Sequence, residues 1–169
     1  MDDGDALTDW FASVLGHDLA TETLSGSARR IRRAYAELLS GYESDFQILN
    51  VTTRVPAGVK AGKVTIAAMP LFSLCGHHML PYFGSCTVEY LPREIVTGLG
   101  KVPRLVDTMA RRFIIQEDLT REIAEQILKQ IDPVAVRVVT NAQHLCVLSR
   151  GPRATTESVE CSYSLGEWG

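Results

Sequence analysis

Histidine and cysteine meet at short spacing in two places, Cys75-Gly76-His77-His78 and His144-Leu145-Cys146. Thiolate and imidazole are ligands that favour zinc, with iron as an alternative. A structural zinc site closes with four protein ligands, whereas a catalytic one keeps a position open for water. Cys75, His78 and Cys146 would supply three ligands and leave His77 and His144 for proton transfer. The chain has four histidines, and the remaining one is His17. Packing explains either pair alone just as well; the two together favour a metal. Water on such an ion ionises near neutral pH, and a neighbouring histidine can serve as acid and base. The chemistry so described is hydrolysis at an electrophilic carbon.

Cations point to an anionic substrate. Lys101 and Arg104 follow a turn through Gly98, Leu99 and Gly100 at the start of a predicted helix, where anions are favoured. Arg150 follows Cys146 by four residues, and Arg30 and Arg33 could add to the patch. A solvated face explains the run Arg29, Arg30, Arg32 and Arg33 equally well. Gln116 and Glu117 offer an acceptor carboxylate that could take two N–H bonds from a base edge such as guanine's. A carboxylate in the first turn of a helix is also favourable without any ligand.

These residues need elements to hold them. Residues 1–24 read as a short amphipathic helix and a polar link. Ser27 suits the cap of a second helix, with Ile31, Tyr35, Leu38 and Leu39 on one face and Gly41 as its stop. Val64, Ile66 and Ala68 alternate, as do Cys86, Val88 and Tyr90, so both segments read as strands. Pro81 to Gly84 reads as the turn between them. Val102 to Phe113 reads as a helix burying Leu105, Val106, Met109, Ala110 and Phe113. The next helix starts near Asp118 as N-cap and buries Ile123, Ile127 and Ile131. Val134 to Thr140 and Gln143 to Ser149 read as a hairpin around Asn141 and Ala142. His144 and Cys146 then share one face of a strand. A last strand covers Ser158 to Leu165. Helices on one face of an antiparallel sheet make an α+β fold.

Composition narrows the class. The chain has 169 residues, of which 46 % are hydrophobic, enough for a sizeable core. A net charge of −3 argues against bulk binding to nucleic acid or an anionic membrane. No apolar run approaches the ~20 residues of a membrane span. The acidic start MDDGDALTDW is unlike a signal peptide. The expectation is a cytoplasmic protein whose four cysteines mean metal or packing rather than disulfides. Cys86 and Cys161, outside the histidine clusters, read as buried small apolar residues.

The segments SLCGHHMLPYFG, TGLGKVPRLVDTMARRFIIQEDLT and AQHLCVLSRG carry a resemblance to the GTP cyclohydrolase I family of the tunnelling-fold (T-fold) superfamily, running from about Ser27 to Gly166. The resemblance implies an antiparallel four-stranded sheet with two helices on one face plus N-terminal helices. It divides the chain into an N-terminal helical segment, 1–45, and a catalytic T-fold domain, 46–169. It also implies a zinc-dependent enzyme that opens the imidazole ring of GTP, releases formate and closes a pterin ring, giving 7,8-dihydroneopterin triphosphate for pterin and tetrahydrofolate biosynthesis.

Carried over, Cys75, His78 and Cys146 match the zinc ligands, and His77 and His144 the catalytic histidines. Glu117 matches the residue that holds guanine, with Gln116 beside it. Lys101, Arg104, Arg150, Arg30 and Arg33 match triphosphate contacts. The family assembles as a homodecamer with active sites between subunits. This chain departs from it at Gly76, where the family has Glu, at Gly100, where it has Ser, and at Pro103. A stretch from Glu43 to Val64 also lacks the family's acidic lead into the strand. These departures suggest a specialised paralogue that stops at the ring-opened formamidopyrimidine or takes another purine nucleotide. An inactive nucleotide-binding regulatory homologue is the alternative of another class, and the intact ligands and histidines speak against it.

Overall fold

The computed structural model describes residues 3–15, 26–153 and 158–168. Contacts group the chain into two compact units, Met1–Leu39 and Ser40–Gly169. The first unit holds helices α1 (Asp3–Leu15) and α2 (Ser27–Leu38). Ile31, Tyr35 and Leu38 form the less exposed face of α2, as their spacing predicts. The start of α2 differs from expectation. Ser27 is already helical, and Gly26, with φ 71°, is the residue that precedes it. Ser27 Oγ accepts a hydrogen bond from Arg30 Nη2 at 2.8 Å instead of capping the helix. His17, and the end of the helix and polar link expected over residues 1–24, fall on residues outside those described.

In the second unit, strands β2 (Val64–Leu74), β3 (Pro81–Leu91), β5 (Ala135–His144) and β6 (Val159–Gly166) form an antiparallel sheet in the order β2-β3-β5-β6. A separate ribbon pairs β1 (Thr52–Arg54) with β4 (Ile95–Thr97). Helices α3 (Lys101–Ala110) and α4 (Gln116–Ile131) cover one face of the large sheet. The architecture is α+β, as expected.

Period-two alternation sends Cys86, Val88 and Tyr90 of β3 inward together with their β5 neighbours Thr140, Val138 and Val136. The helices meet them with Leu105, Val106 and Met109 of α3 and Leu119, Ile123, Ile127 and Ile131 of α4. Burying one such aliphatic side chain contributes about 1.5–3 kcal/mol. Burial also pushes the Cys86 thiol up to about 12, which fits its expected role as a small apolar residue. Cys161 is only half-buried, contrary to expectation, because β6 is an edge strand.

Several boundaries move. Pro81 to Gly84 belongs to β3, and the reversal lies at Gly76–Leu80 instead. Proline is tolerated as a first strand residue. Gly84 is required inside the strand because a Cβ there would meet the backbone carbonyl of Asn141. The alternation of Val64 and Ile66 does not extend to Ala68. The pairing register shifts between Ile66 and Met69, Ala68 takes φ 52°, and Met69, Leu71 and Ser73 then hold the inner face. This is a bulge, which resets the phase of a strand.

No hairpin turns at Asn141 and Ala142. Both lie within β5, where Asn141 pairs with Ser85 on one side and Glu160 on the other. Helix α3 ends at Ala110, and Phe113 forms a bridge to Leu74 outside it. Helix α4 starts three residues earlier than expected, with Ile115 instead of Asp118 at its cap position. Asp118 sits in the first turn and pairs with Arg121 at 3.1 Å. Gly41 does not stop α2 through a left-handed residue. It lies in a 3-10 turn, Ser40–Glu43, where a Cβ would strike the carbonyls of Thr108 and Arg111.

Candidate metal centre

Strand β2 delivers Cys75 at the point where the chain reverses. The Cys75 N–H donates to the Leu80 carbonyl at 2.9 Å, and the Met79 N–H donates to the Cys75 carbonyl at 2.8 Å. This small closed turn holds His77 and His78. The second contribution comes from the end of β5. His144 is its last residue, and α5 (Leu145–Leu148), a single helical turn, begins at once. His144 and Cys146 therefore do not share a strand face, because the backbone changes from extended to helical between them. The turn nevertheless carries Cys146 toward the β2 end.

The ligand atoms of Cys75, His78 and Cys146 all lie within 4.8 Å of one another. Both cysteines are buried and the histidine is exposed. Burial raises the Cys146 thiol above the usual thiol range, and the neighbouring Cys75 raises it further. A thiol pair of this kind is relieved by a divalent cation that accepts both as thiolates. Two thiolates and an imidazole suit zinc, and three protein ligands correspond to a catalytic site.

His144 is held from two sides. Its Nε2 lies 2.7 Å from Gln116 Oε1. Its ring stacks on that of Tyr82, its cross-strand neighbour, with centroids 4.7 Å apart and planes 12° from parallel. Gln116 and Tyr82 are both fully buried. The Gln116 amide nitrogen donates to the Thr140 carbonyl, Thr140 Oγ1 and the Val159 carbonyl at 3.2, 3.0 and 2.9 Å. Burial lowers the pKa of His144 below the ordinary imidazole value, and the Glu117 carboxylate opposes that shift.

The His77 ring lies 6.3 Å from that of His78 at an interplanar angle of 86°. It borders a cavity of about 390 Å³ that Gly76, Tyr42, Arg112, Phe113 and Ile115 help to line. Gly76 has no positive φ, and the nearest atom to a Cβ there would be the Phe113 carbonyl oxygen at 3.6 Å. Glu117 stands exposed in the first turn of α4. Lys101 opens α3, with Arg104 one turn further on, as expected.

Arg150 follows α5 and places Nη1 3.3 Å from His78 Nε2 and 3.4 Å from the Cys146 carbonyl. Arg30 and Arg33 stand on α2, in the N-terminal unit. The fold thus gathers Cys75, His78, Cys146 and Arg150 around one point, and Gln116 and Glu117 around His144. Sequence reasoning missed Tyr82 and Thr140. The pairing of β3 with β5 reveals Tyr82, which stands opposite His144 in that register, and the packing of α4 reveals Thr140, which Gln116 joins to His144.

Residues 6–169 match the sequence profile of GTP cyclohydrolase I. A GTP cyclohydrolase 1 of Leptospira biflexa is 38% identical over 152 residues, spanning 90% of this chain and 82% of that protein. One from Parabacteroides distasonis is 39% identical over 138 residues, spanning 82% of this chain and 70% of its own. Among solved structures, the archaeosine synthase QueF-Like in its apo form is similar at 18% identity and a TM-score of 0.49. That likeness covers 66% of this chain and 100% of the other.

Proposed function

Because the chain belongs to the GTP cyclohydrolase I family, we propose that it acts on GTP, opening the imidazole ring, releasing formate and yielding 7,8-dihydroneopterin triphosphate. The observation that carries this reading is the convergence of Cys75, His78 and Cys146 within 4.8 Å, with His144 two residues from the last of them. Those three residues would hold zinc, which would supply Lewis acidity and activate water near neutral pH.

The remaining roles fall to the chain's own groups. Burial favours the neutral form of His144, the form that takes a proton. His77, on the turn beside the cavity, moves the second proton. Glu117 projects from the start of α4 and accepts the N–H groups of the guanine edge, with Gln116 behind it. Lys101, Arg104 and Arg150 neutralise the triphosphate, and the first two do so where a helix N-terminus already favours anions.

The assembly we propose is the family's homodecamer, with active sites between subunits. Its support is the outer edges of β2 and β6, which pair with no further strand among the described residues and which a lone subunit would leave open. Among the described residues no helix is long and apolar enough to cross a membrane, and we place the enzyme in the cytoplasm.

The test is incubation of the zinc-loaded protein with GTP, with products identified by mass spectrometry and formate assayed in parallel. Dihydroneopterin triphosphate with one formate supports the reading. A ring-opened product without pterin would replace it with the specialised paralogue, and no reaction with GTP would redirect the search to other purine nucleotides.

A further inference from the structure

Donor and acceptor roles around His144 can be assigned one after another. The Thr120 hydroxyl donates to the Gln116 backbone carbonyl at 2.7 Å, which uses its only proton. The contact of 2.7 Å between the Thr120 and Thr140 hydroxyls must then be donated by Thr140. Thr140 Oγ1 is left as an acceptor, and the Gln116 amide nitrogen donates to it. The same nitrogen faces the carbonyls of Thr140 and Val159. A flipped amide would set its oxygen against those two carbonyl oxygens, so the observed orientation is forced. Gln116 Oε1 is therefore the atom presented to His144, and it can only accept. The proton of neutral His144 lies on Nε2, and Nδ1 keeps the free lone pair.

We propose that Gln116 and Tyr82 are positioning residues that hold His144 in its Nε2–H tautomer, Gln116 by the hydrogen bond at the ring edge and Tyr82 by the stack on its face. The arrangement survives a catalytic cycle. A proton gained at Nδ1 leaves the Nε2–H bond in place, so the ring takes up and releases protons through one atom without reorienting. Gln116 thereby has a role apart from contact with the guanine edge, since both ends of its amide are engaged inside the protein. The Tyr82 ring blocks one face of the imidazole, which limits rotation that would break the bond to Gln116. The catalytic consequence rests on the proton-transfer role assigned to His144 above; the tautomer does not.

The experiment uses full-length protein labelled with ¹⁵N-histidine, in wild-type form and as Gln116→Leu, Tyr82→Leu and Tyr82→Phe. Long-range proton–nitrogen correlation reports the His144 tautomer, with assignment by His144→Gln. Wild type is expected to show Nε2–H alone, and Tyr82→Phe, which keeps the stack, to match it. Gln116→Leu and Tyr82→Leu are expected to show mixed tautomers and at least a tenfold fall in kcat, with KM and zinc content held. An Nδ1–H tautomer in wild type overturns the proposal, and that measurement needs no variant to fold. A folded Gln116→Leu or Tyr82→Leu with the wild-type tautomer and kcat overturns it for that residue. Because the tautomer is read without substrate, failure of wild type to turn over GTP would sink the functional reading while leaving this one standing.

Discussion

Arg150 donates toward His78, with Nη1 and Nε2 3.3 Å apart, so a guanidinium occupies one nitrogen of a ligand histidine. A cation beside a cation-binding donor set opposes the metal, and an exposed pair of this kind has a modest effect. Arg150→Ala is expected to bind zinc about threefold more tightly, a change typical of one exposed charge. Its KM for GTP should rise if the same guanidinium serves the triphosphate. Competition with a chromophoric chelator measures the first effect. Zinc affinity equal to wild type would mean that the contact has no bearing on the metal.

His144 and Cys146 should separate metal from turnover. His144→Ala is expected to retain a full equivalent of zinc and lose about 10²- to 10⁴-fold in kcat, the usual worth of a general acid–base group. Cys146→Ala is expected to lose both. Metal analysis beside steady-state kinetics checks the pair, and full zinc occupancy in Cys146→Ala would mean the ligand set is wrong.

Two glycines near the site should respond in opposite ways. At Gly84 an added Cβ meets the Asn141 backbone, which cannot move without parting β3 from β5. Gly84→Ala should cost about 1–3 kcal/mol or more, in the manner of an overpacked core. At Gly76 the nearest atom lies 3.6 Å away and φ is not positive, so Gly76→Ala should be close to neutral. Urea denaturation compares them. If Gly76→Glu also folds, its product profile with GTP shows whether the missing carboxylate alters the outcome.

Helix α4 is fixed to the sheet by aliphatic side chains, and Ile127 is fully buried among them. Ile127→Ala removes apolar contact and leaves a cavity. The expected loss is about 2–5 kcal/mol, seen as a lower urea midpoint with an unchanged slope. A loss below about 1 kcal/mol would show that the site collapses freely.

The lowered pKa of His144 has a definite sign in stability. The native state prefers the neutral ring, while the unfolded chain binds a proton near its ordinary value of about 6.5. As pH falls from that value toward the native one, the unfolded state gains the proton first, and the metal-free protein loses stability. His144→Gln should flatten this acid-side slope. Glu117→Gln should steepen it, because that carboxylate is what raises the His144 pKa. Urea midpoints across the mildly acidic range test both signs.

The legible parts of the sequence were those with a strong period or a chemical cluster. Ile123, Ile127 and Ile131 announced α4, and Cys86, Val88 and Tyr90 announced the inner face of β3. The Cys75, His78 and Cys146 cluster rested on residue types, their short spacing and the family resemblance, and the fold assembles it. Errors fell where tertiary contact overrides local preference. Gly84 looked like a turn residue, but a crowding neighbour strand is what requires it. Asn141 and Ala142 looked like a hairpin, but partners on both sides keep them extended. The surroundings of His144 were hidden for a related reason. Tyr82, Gln116 and Thr140 come from three elements and meet only through sheet register and helix packing.

The two halves of the metal centre arrive from the ends of β2 and β5, strands that do not touch but flank β3. A metal there would act as a clasp across three strands, closing a long stretch of chain whose ends must otherwise be held by pairing alone. Folding of that corner and acquisition of the ion would then be one event, and removing the ion would loosen first the very end of the sheet where the histidines stand.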